Sequence, residues 1–147
     1  MLKIRSVLES KGREVTSIDG DVPVSEAIAA MSSKNIGAIV VKGKPYPQGI
    51  ITERDVLQLW QHKERVQSRP VQQVMSRKLV VTKIDDSLTD ALTVMIQKHI
   101  RHLLVTDGSE VVGILSIRDL VKERIKHNEA SVRYMEDVLS SDMSREW

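Results

Sequence analysis

The sequence predicts an α+β (α/β) fold in which two copies of a strand–helix–strand–strand–helix unit (βαββα) pack as a pseudo-two-fold pair. The chain has 147 residues, the length of one ordinary domain or of two very small ones. When the sequence is compared with itself at a shift of 64 residues, positions 24–57 align with 88–121 without a gap, and nine of the 34 positions are identical. A unit of about 60 residues buries too little surface to be stable on its own, so we expect the two units to pack sheet to sheet.

The identical positions indicate a duplicated unit. Two amphipathic segments aligned by chance would match in hydrophobicity alone. Here glycine, arginine and aspartate also coincide, at Gly49 and Gly113 and in the pairs that follow them, Arg54/Arg118 and Asp55/Asp119.

In the first unit, residues 15–18 form a predicted strand, and apolar residues from Val24 to Met31 recur at helical spacing. Short apolar runs at 38–41 and 49–51 predict two more strands, separated by a loop rich in Gly and Pro. Thr52 then opens a helix that continues through Trp60.

The second unit repeats this order. The pattern predicts strands at 80–84, 102–106 and 111–115, a helix at 88–98 and a last helix from 117 onward.

A linker at 68–71, in which Pro70 breaks the preceding helix, separates the units. The predicted division of the chain is therefore a first repeat with an N-terminal helix (1–67), a second repeat (68–126) and a C-terminal helical extension (127–147).

Composition excludes several classes of function. The 22 basic and 20 acidic residues give a net charge of +2, which provides little general attraction to nucleic acid or to a membrane surface. The chain has no cysteine, which excludes disulfides and thiolate metal sites, and its 3% of aromatic residues disfavours a base-stacking surface. No apolar run approaches the roughly 20 residues that span a bilayer. We expect a soluble, cytoplasmic protein without a membrane or nucleic-acid partner.

The repeated segments GIITERDVL (49–57) and GILSIRDLV (113–121), together with IRHLLV (100–105), resemble tandem cystathionine-β-synthase (CBS) domains, a pair called a Bateman module. The resemblance covers roughly residues 4–125. It implies that the clefts between the repeats bind an adenine ligand, such as AMP, ADP, ATP, NAD(H) or S-adenosylmethionine. It also implies a homodimer that regulates an effector protein and needs no cofactor.

The residues themselves support a nucleotide site in the second repeat. Ser116 lies at the junction of strand and helix, where unpaired N–H groups and the helix dipole favour a phosphate. Asp119 lies three residues later, and its two carboxylate oxygens can accept both hydroxyls of a ribose. The alternative interpretation is plain helix capping, in which Ser116 caps the helix and Asp119 complements its dipole.

The first repeat has Thr52 and Asp55 in the same positions. Arg54 and Arg118, each between a hydroxyl residue and a carboxylate, could reach a phosphate or face solvent.

The repeats differ before their central strands. The second has Arg101 and His102 where the first has Gly37 and Ala38, a position that faces the cleft near the phosphates in the family. We therefore expect unequal sites, the stronger one at Asp119 with Arg101 or His102 nearby.

The resemblance further implies that the first strand of each repeat provides apolar walls and backbone groups for adenine. The complete predicted binding set is Thr16, Ile18, Gly37, Ala38, Ile39, Thr52, Arg54, Asp55, Thr82, Ile84, Arg101, His102, Ser116, Arg118 and Asp119.

Catalysis and metal binding have poor support. The sequence contains no Walker loop, and no Ser-His-Asp arrangement can be argued from spacing. His99 and His102 are three residues apart, but the strand predicted at 102 breaks a shared helical face, and no third ligand is evident. We expect a regulatory binding protein, with a dimeric interaction adaptor whose clefts are vestigial as the alternative. The trailing helix, which carries apolar residues from Val121 to Leu139, packs either within the chain or against another subunit.

Overall fold

The computed structural model describes residues 1–61 and 65–145. In the first repeat, β1 (Ser17–Ile18), β2 (Ala38–Val41) and β3 (Gly49–Thr52) form a three-stranded sheet in that order. The strand β1 runs parallel to β2, and β3 runs antiparallel to it. The connection from β1 to β2 is the helix α2 (Val24–Lys34), which ends at Asn35 in the left-handed conformation (φ 52°).

The second repeat has the same topology. Its strands are β4 (Val81–Lys83), β5 (His102–Asp107) and β6 (Glu110–Ser116). The helix α5 (Leu88–Gln97) connects β4 to β5, and the hydroxyl of Ser87 caps its first turn by accepting a hydrogen bond from Asp90 N. The prediction of an α+β fold built from two βαββα repeats is confirmed.

The remaining helices surround these sheets. They are α1 (Ile4–Lys11), α3 (Glu53–Gln61), α4 (Val71–Val74) and α6 (Ile117–Arg145). The predicted linker is more ordered than expected, because Pro70 stands at the N-cap of α4 and a 3₁₀ turn (Val66–Ser68) precedes it. The predicted C-terminal extension is the continuation of α6, whose final two positions, 146 and 147, lie outside the described residues.

The core of each repeat contains a helix from the chain segment that precedes the other repeat. Ile4, Val7 and Leu8 of α1 are buried in the core of the second repeat. Val71 of α4 and the adjacent Met75 are buried in the core of the first repeat. This exchange ties the repeats together, because neither core is complete without a segment from outside its own sheet.

The exchange also explains the glycine that the two repeats share. A Cβ at Gly113 would lie 2.4 Å from Leu8 Cδ2, and a Cβ at Gly49 would lie 2.5 Å from Met75 Sδ and 2.7 Å from the Ser76 carbonyl oxygen. At Gly49 the approach involves backbone that cannot give way easily, whereas at Gly113 it involves only the end of a leucine side chain.

The two sheets pack against each other through a separate apolar cluster. It contains the buried residues Ala38 and Val40 of β2, Leu104 of β5 and Ile114 of β6. Because side chains alternate along a strand, residues on the other face of β2, such as Ile39, belong to the core under α2 instead. The face-to-face contact leaves a cleft at each side, where β3 or β6 ends and a helix begins.

Among the described residues, the structure contains no helix that is both long enough and apolar enough to span a membrane.

Candidate functional site

A cavity of about 290 Å³ lies between the repeats, at the junction of β3 and α3. The first repeat contributes the end of β3 and the first turn of α3. The second repeat contributes the segments that precede β4 and β5. The lining residues are Gly37, Ile50, Thr52, Glu53, Arg54, Asp55, Gln58, Ser76, Lys78, Leu79, Val80, His99, Ile100, Arg101, His102 and Leu104.

The junction of β3 and α3 is a reciprocal capping arrangement. The backbone N–H of Thr52 donates to Asp55 Oδ2 (2.9 Å), and the backbone N–H of Asp55 donates to Thr52 Oγ1 (3.2 Å). The structure therefore realises the capping interpretation. It also leaves the second carboxylate oxygen of Asp55, Oδ1, without a hydrogen-bond partner among the described residues, and Asp55 lines the cavity.

Apolar and charged side chains both line the cavity. Its apolar surface comes from Leu104 and from Ile50, Leu79 and Val80, which pack against the buried clusters next to it. Lys78 and Arg101 are exposed lining residues with cationic side chains. One cavity thus offers a ligand an apolar surface, cations that attract an anion and a carboxylate that accepts hydrogen bonds.

Arg54 has a more specific position than the sequence indicated. Its guanidinium donates to the carbonyl oxygen of His99 (3.0 Å), in the loop before β5 of the other repeat. His99 itself is in the left-handed conformation (φ 54°). Arg54 thus connects the two repeats across the cavity. This role differs from both alternatives inferred from the sequence, a phosphate contact and exposure to solvent.

His102 is half-buried and pairs with Ser116 across β5 and β6. Burial, together with the positive charges of Lys11 and Arg101, lowers the pKa of His102 to about 4, although Asp119 opposes this shift. The imidazole is therefore neutral at pH 7. Gly37 faces this imidazole, since a Cβ at Gly37 would be in ordinary van der Waals contact with His102 Nε2, at 3.5 Å.

The equivalent junction in the second repeat is occupied by the protein itself. Ser116 and Asp119 form the same reciprocal cap (2.8 and 3.1 Å). The Nζ of Lys11, at the end of α1, donates to Asp119 Oδ2 (2.7 Å) and to the Ile114 carbonyl oxygen (2.8 Å). Burial raises the pKa of Asp119, but the hydrogen bonds from Lys11 and Ser116 outweigh it, and the net shift is downward. A cation from α1 thus binds the carboxylate that was expected to hold a ribose, through Oδ2, the oxygen that also caps the helix.

Arg101 and His102 line the cavity of Thr52 and Asp55 and do not line the groove beside Asp119, where they were expected. His102 nevertheless pairs with Ser116 across β5 and β6, and Asp119 is near enough to affect its pKa. The segment that precedes β5 meets α3 of the other repeat, as the hydrogen bond from Arg54 to the carbonyl oxygen of His99 shows. The groove beside Asp119 is bounded instead by α1 and α6 and is lined mainly by charged side chains such as Lys122 and Lys126.

Several predicted binding residues lie away from the cavity. Ile39 and Ile84 are fully buried in the two repeat cores, and Ala38 is buried between the sheets. The carbonyl oxygens of Thr16 and Ile18 accept hydrogen bonds from β2 and its extension.

Two further residues of the predicted set also lie elsewhere. The hydroxyl of Thr82 donates to Asp86 Oδ2. Arg118 is exposed on α6 and does not line the cavity. Six residues of the predicted set line the cavity, namely Gly37, Thr52, Arg54, Asp55, Arg101 and His102.

Apolar walls were expected from the first strand of each repeat, but the observed apolar lining consists of Leu79 and Val80, immediately before β4, together with Ile50 and Leu104. Strand alternation was the available signal for Ile50 and Leu104, since each faces the opposite side from its buried neighbour in the repeat core. Val80 lies at the start of the strand predicted at 80–84, and Leu79 directly precedes it.

Comparison with known proteins decides the family. The model of the CBS domain matches residues 8–62 and again 71–126. The chain belongs to the CBS-domain family. The two matched segments are the two repeats, and the prediction of a tandem CBS pair is confirmed.

Relatives and solved structures agree with this assignment. The CBS pair is 31% identical over 125 residues to the CBS domain-containing protein YhcV of Bacillus subtilis, covering 85% of this chain and 89% of that protein. A CBS-domain protein from Burkholderia ambifaria superimposes with a TM-score of 0.80 at 29% identity, covering 85% of this chain and 95% of that one. Longer proteins also carry the pair: the chain is 31% identical to inosine-5'-monophosphate dehydrogenase of Methanocaldococcus jannaschii over 76% of its length, but spans 22% of that enzyme.

Among the described residues, no three His, Asp or Glu side chains come together in an arrangement that could hold a metal ion.

Proposed function

We propose that this CBS pair binds an adenine nucleotide in the cavity beside Asp55 and thereby regulates a partner protein. The observation that carries the proposal is the chemistry of that cavity, which combines an apolar wall, an available carboxylate oxygen and exposed cations. Adenine would contact Leu79, Val80 and Ile50, and the ribose hydroxyls would donate to Asp55. The phosphates would lie toward Lys78 and Arg101.

Structures of the same fold support an adenosine ligand in general terms. A CBS-domain protein of Pyrobaculum aerophilum, 23% identical with a TM-score of 0.74, was determined with AMP. Another CBS pair, 18% identical with a TM-score of 0.72, was determined with 5'-methylthioadenosine and S-adenosylmethionine. At these identities they share the fold alone, so the choice among AMP, ADP, ATP and NAD(H) rests on measurement.

We infer a regulatory rather than a catalytic role, acting on an effector protein in the cytoplasm. The support is the relative YhcV, whose name carries CBS domains and no reaction, and which this chain matches over most of its length. The nucleotide would then be a signal that is read, with no cofactor required.

We further infer a homodimer. Leu57 on α3 and Val121 on α6 occupy equivalent positions of the repeats, and both are exposed apolar side chains (68% and 42%). The two helices therefore present matched apolar surfaces that a second copy would cover. Light scattering should give about twice the chain mass of 16.6 kDa, and a monomer at micromolar concentration would contradict this inference.

The binding proposal is tested by titration calorimetry of the purified protein against AMP, ADP, ATP, NAD, NADH and S-adenosylmethionine. We expect one tight site per chain. Asp55→Ala should weaken binding by roughly 30-fold or more, because charge-assisted hydrogen bonds contribute about 1.5–3 kcal/mol each.

Asp119→Ala is the matched control. It removes the same kind of helix cap at the equivalent position, but from a carboxylate that Lys11 already occupies. Affinity for the nucleotide should stay within a factor of about three of wild type, which is under 1 kcal/mol. Equal losses in both variants, or no binding of any of the six compounds, would refute the proposed site.

A further inference from the structure

The long C-terminal helix α6 carries an apolar stripe that nothing in the described chain covers. Its residues recur at alternating spacings of four and three, the a and d positions of a heptad repeat. All the apolar members are exposed, by 42–63% of their surface. The stripe consists of Val121, Ile125, Asn128, Val132, Met135 and Leu139.

Charge divides this helix into two halves. Between Arg118 and Asn128 there are four basic and two acidic residues, whereas between Glu129 and Leu139 there is one basic residue against three acidic ones. A second copy of α6 laid antiparallel would therefore place the basic half against the acidic half. A parallel copy would place like charge against like charge.

We propose that the stripe is the docking surface for α6 of a second copy of this chain, in antiparallel orientation. The proposal rests on the homodimer inferred above and specifies the part of its interface that α6 forms. With the two-fold axis at the level of residue 130, every a position meets a d position of the partner. Val121 then packs on Leu139 of the second copy and Ile125 on its Met135, while Asn128 lies opposite its Val132.

Flanking charges agree with this register. Lys122 of each copy lies beside Glu136 of the other, which gives two opposite-charge pairs, against a single like-charge pair between the two Glu129 side chains at the centre. Neither Lys122 nor Glu136 has an ion-pair partner within the part of the chain that the structure describes. The pair that would favour a parallel arrangement, Arg124 with Glu129, is weakened because Arg124 already donates to the Thr89 hydroxyl on α5.

The polar Asn128 suits the same arrangement. A single polar residue in an apolar seam specifies register at some cost in stability.

The groove beside α1 continues the surface, since Lys122, Ile125 and Glu129 line it together.

Cysteine cross-linking tests the orientation directly, because the natural chain has no cysteine. Val121→Cys and Leu139→Cys, mixed and mildly oxidised, should give a disulfide-linked dimer, and each variant alone should not. In the antiparallel pair, two copies of either residue lie about 27 Å apart, at 1.5 Å per residue over 18 residues. Arg133→Cys, off the stripe, is the control for chance cross-linking.

A second pair of variants separates the surface from general effects on folding. Met135→Glu should weaken dimerisation at least 10-fold by light scattering over a dilution series. Tyr134→Glu should leave it unchanged, although Tyr134 is equally apolar and exposed (71%). Equal effects of the two substitutions would overturn the proposal.

The remaining outcomes distinguish this proposal from the dimer itself. Cross-linking of Val121→Cys alone and of Leu139→Cys alone would overturn the antiparallel orientation. A wild-type dimer without cross-linking above the Arg133→Cys control would overturn helix pairing and leave the homodimer standing. A wild-type monomer would overturn both, and nucleotide titration stays independent of all three results.

Discussion

Lys11 should hold one of the two clefts closed, and Lys11→Met should open it. The side chain of Lys11 is 35% exposed and that of Asp119 is 21% exposed, so their 2.7 Å ion pair is only partly screened by water. Two charge-assisted hydrogen bonds are lost in the variant. After a discount for solvent exposure, we expect unfolding to become easier by about 1–2 kcal/mol at pH 7.

A double-mutant cycle with Asp119→Asn isolates the pair. The coupling free energy between Lys11 and Asp119 should account for most of the loss in the single variant, measured by urea unfolding. The pKa of Asp119 is depressed in the folded chain, so this contribution is present above the ordinary carboxyl pKa and is lost as the pH falls through the lowered value. Lys126→Met, which removes an exposed lysine beside the same groove, is the control and should change stability little.

Two further measurements on Lys11→Met report on function. The positive charge of Lys11 contributes to the low pKa of His102, so an NMR titration should show that pKa rising above about 4 in the variant. Calorimetry should show a second, weaker nucleotide site per chain, because Asp119 is released. An unchanged His102 titration together with a coupling energy near zero would refute the reasoning that Lys11 fills this cleft.

Three other expectations follow from individual contacts. The free energy of unfolding should fall by about 2 kcal/mol between pH 7 and pH 5, because His102 takes up a proton near pH 6.5 in the unfolded chain but only near pH 4 in the folded chain. Urea unfolding of His102→Gln at each pH should lack this component. Gly49→Ala should destabilise the fold by about 1–3 kcal/mol and Gly113→Ala by less, because the first clash involves backbone and the second only the end of a leucine side chain; equal melting temperatures would contradict this. Arg101→Ala should weaken binding of a nucleotide about 10- to 100-fold while adenosine binding hardly changes, and an equal loss for adenosine would remove the phosphate role of Arg101.

The repeat and its elements were readable because they depend on local patterns. The helices and strands follow from spacing of apolar residues, and the strand Ala38–Val41 was predicted with its observed bounds. The capping pairs Thr52/Asp55 and Ser116/Asp119 were also predictable, since a hydroxyl and a carboxylate three residues apart bond to each other's backbone within one turn.

Local residue patterns were therefore enough to infer the fold, its duplication and the chemistry available at each helix start. How these helix starts combine depends on the packing of the folded chain. The crossing of α1 and α4 brings Lys11 onto Asp119 and brings Leu79 and Val80 beside Asp55, while the pseudo-two-fold contact turns Arg101 toward the cavity of the other repeat. Such contacts join residues that are far apart in the chain. Their partners depend on how the two sheets pack against each other and against α1 and α4, and the spacing of residues along the chain does not predict this packing.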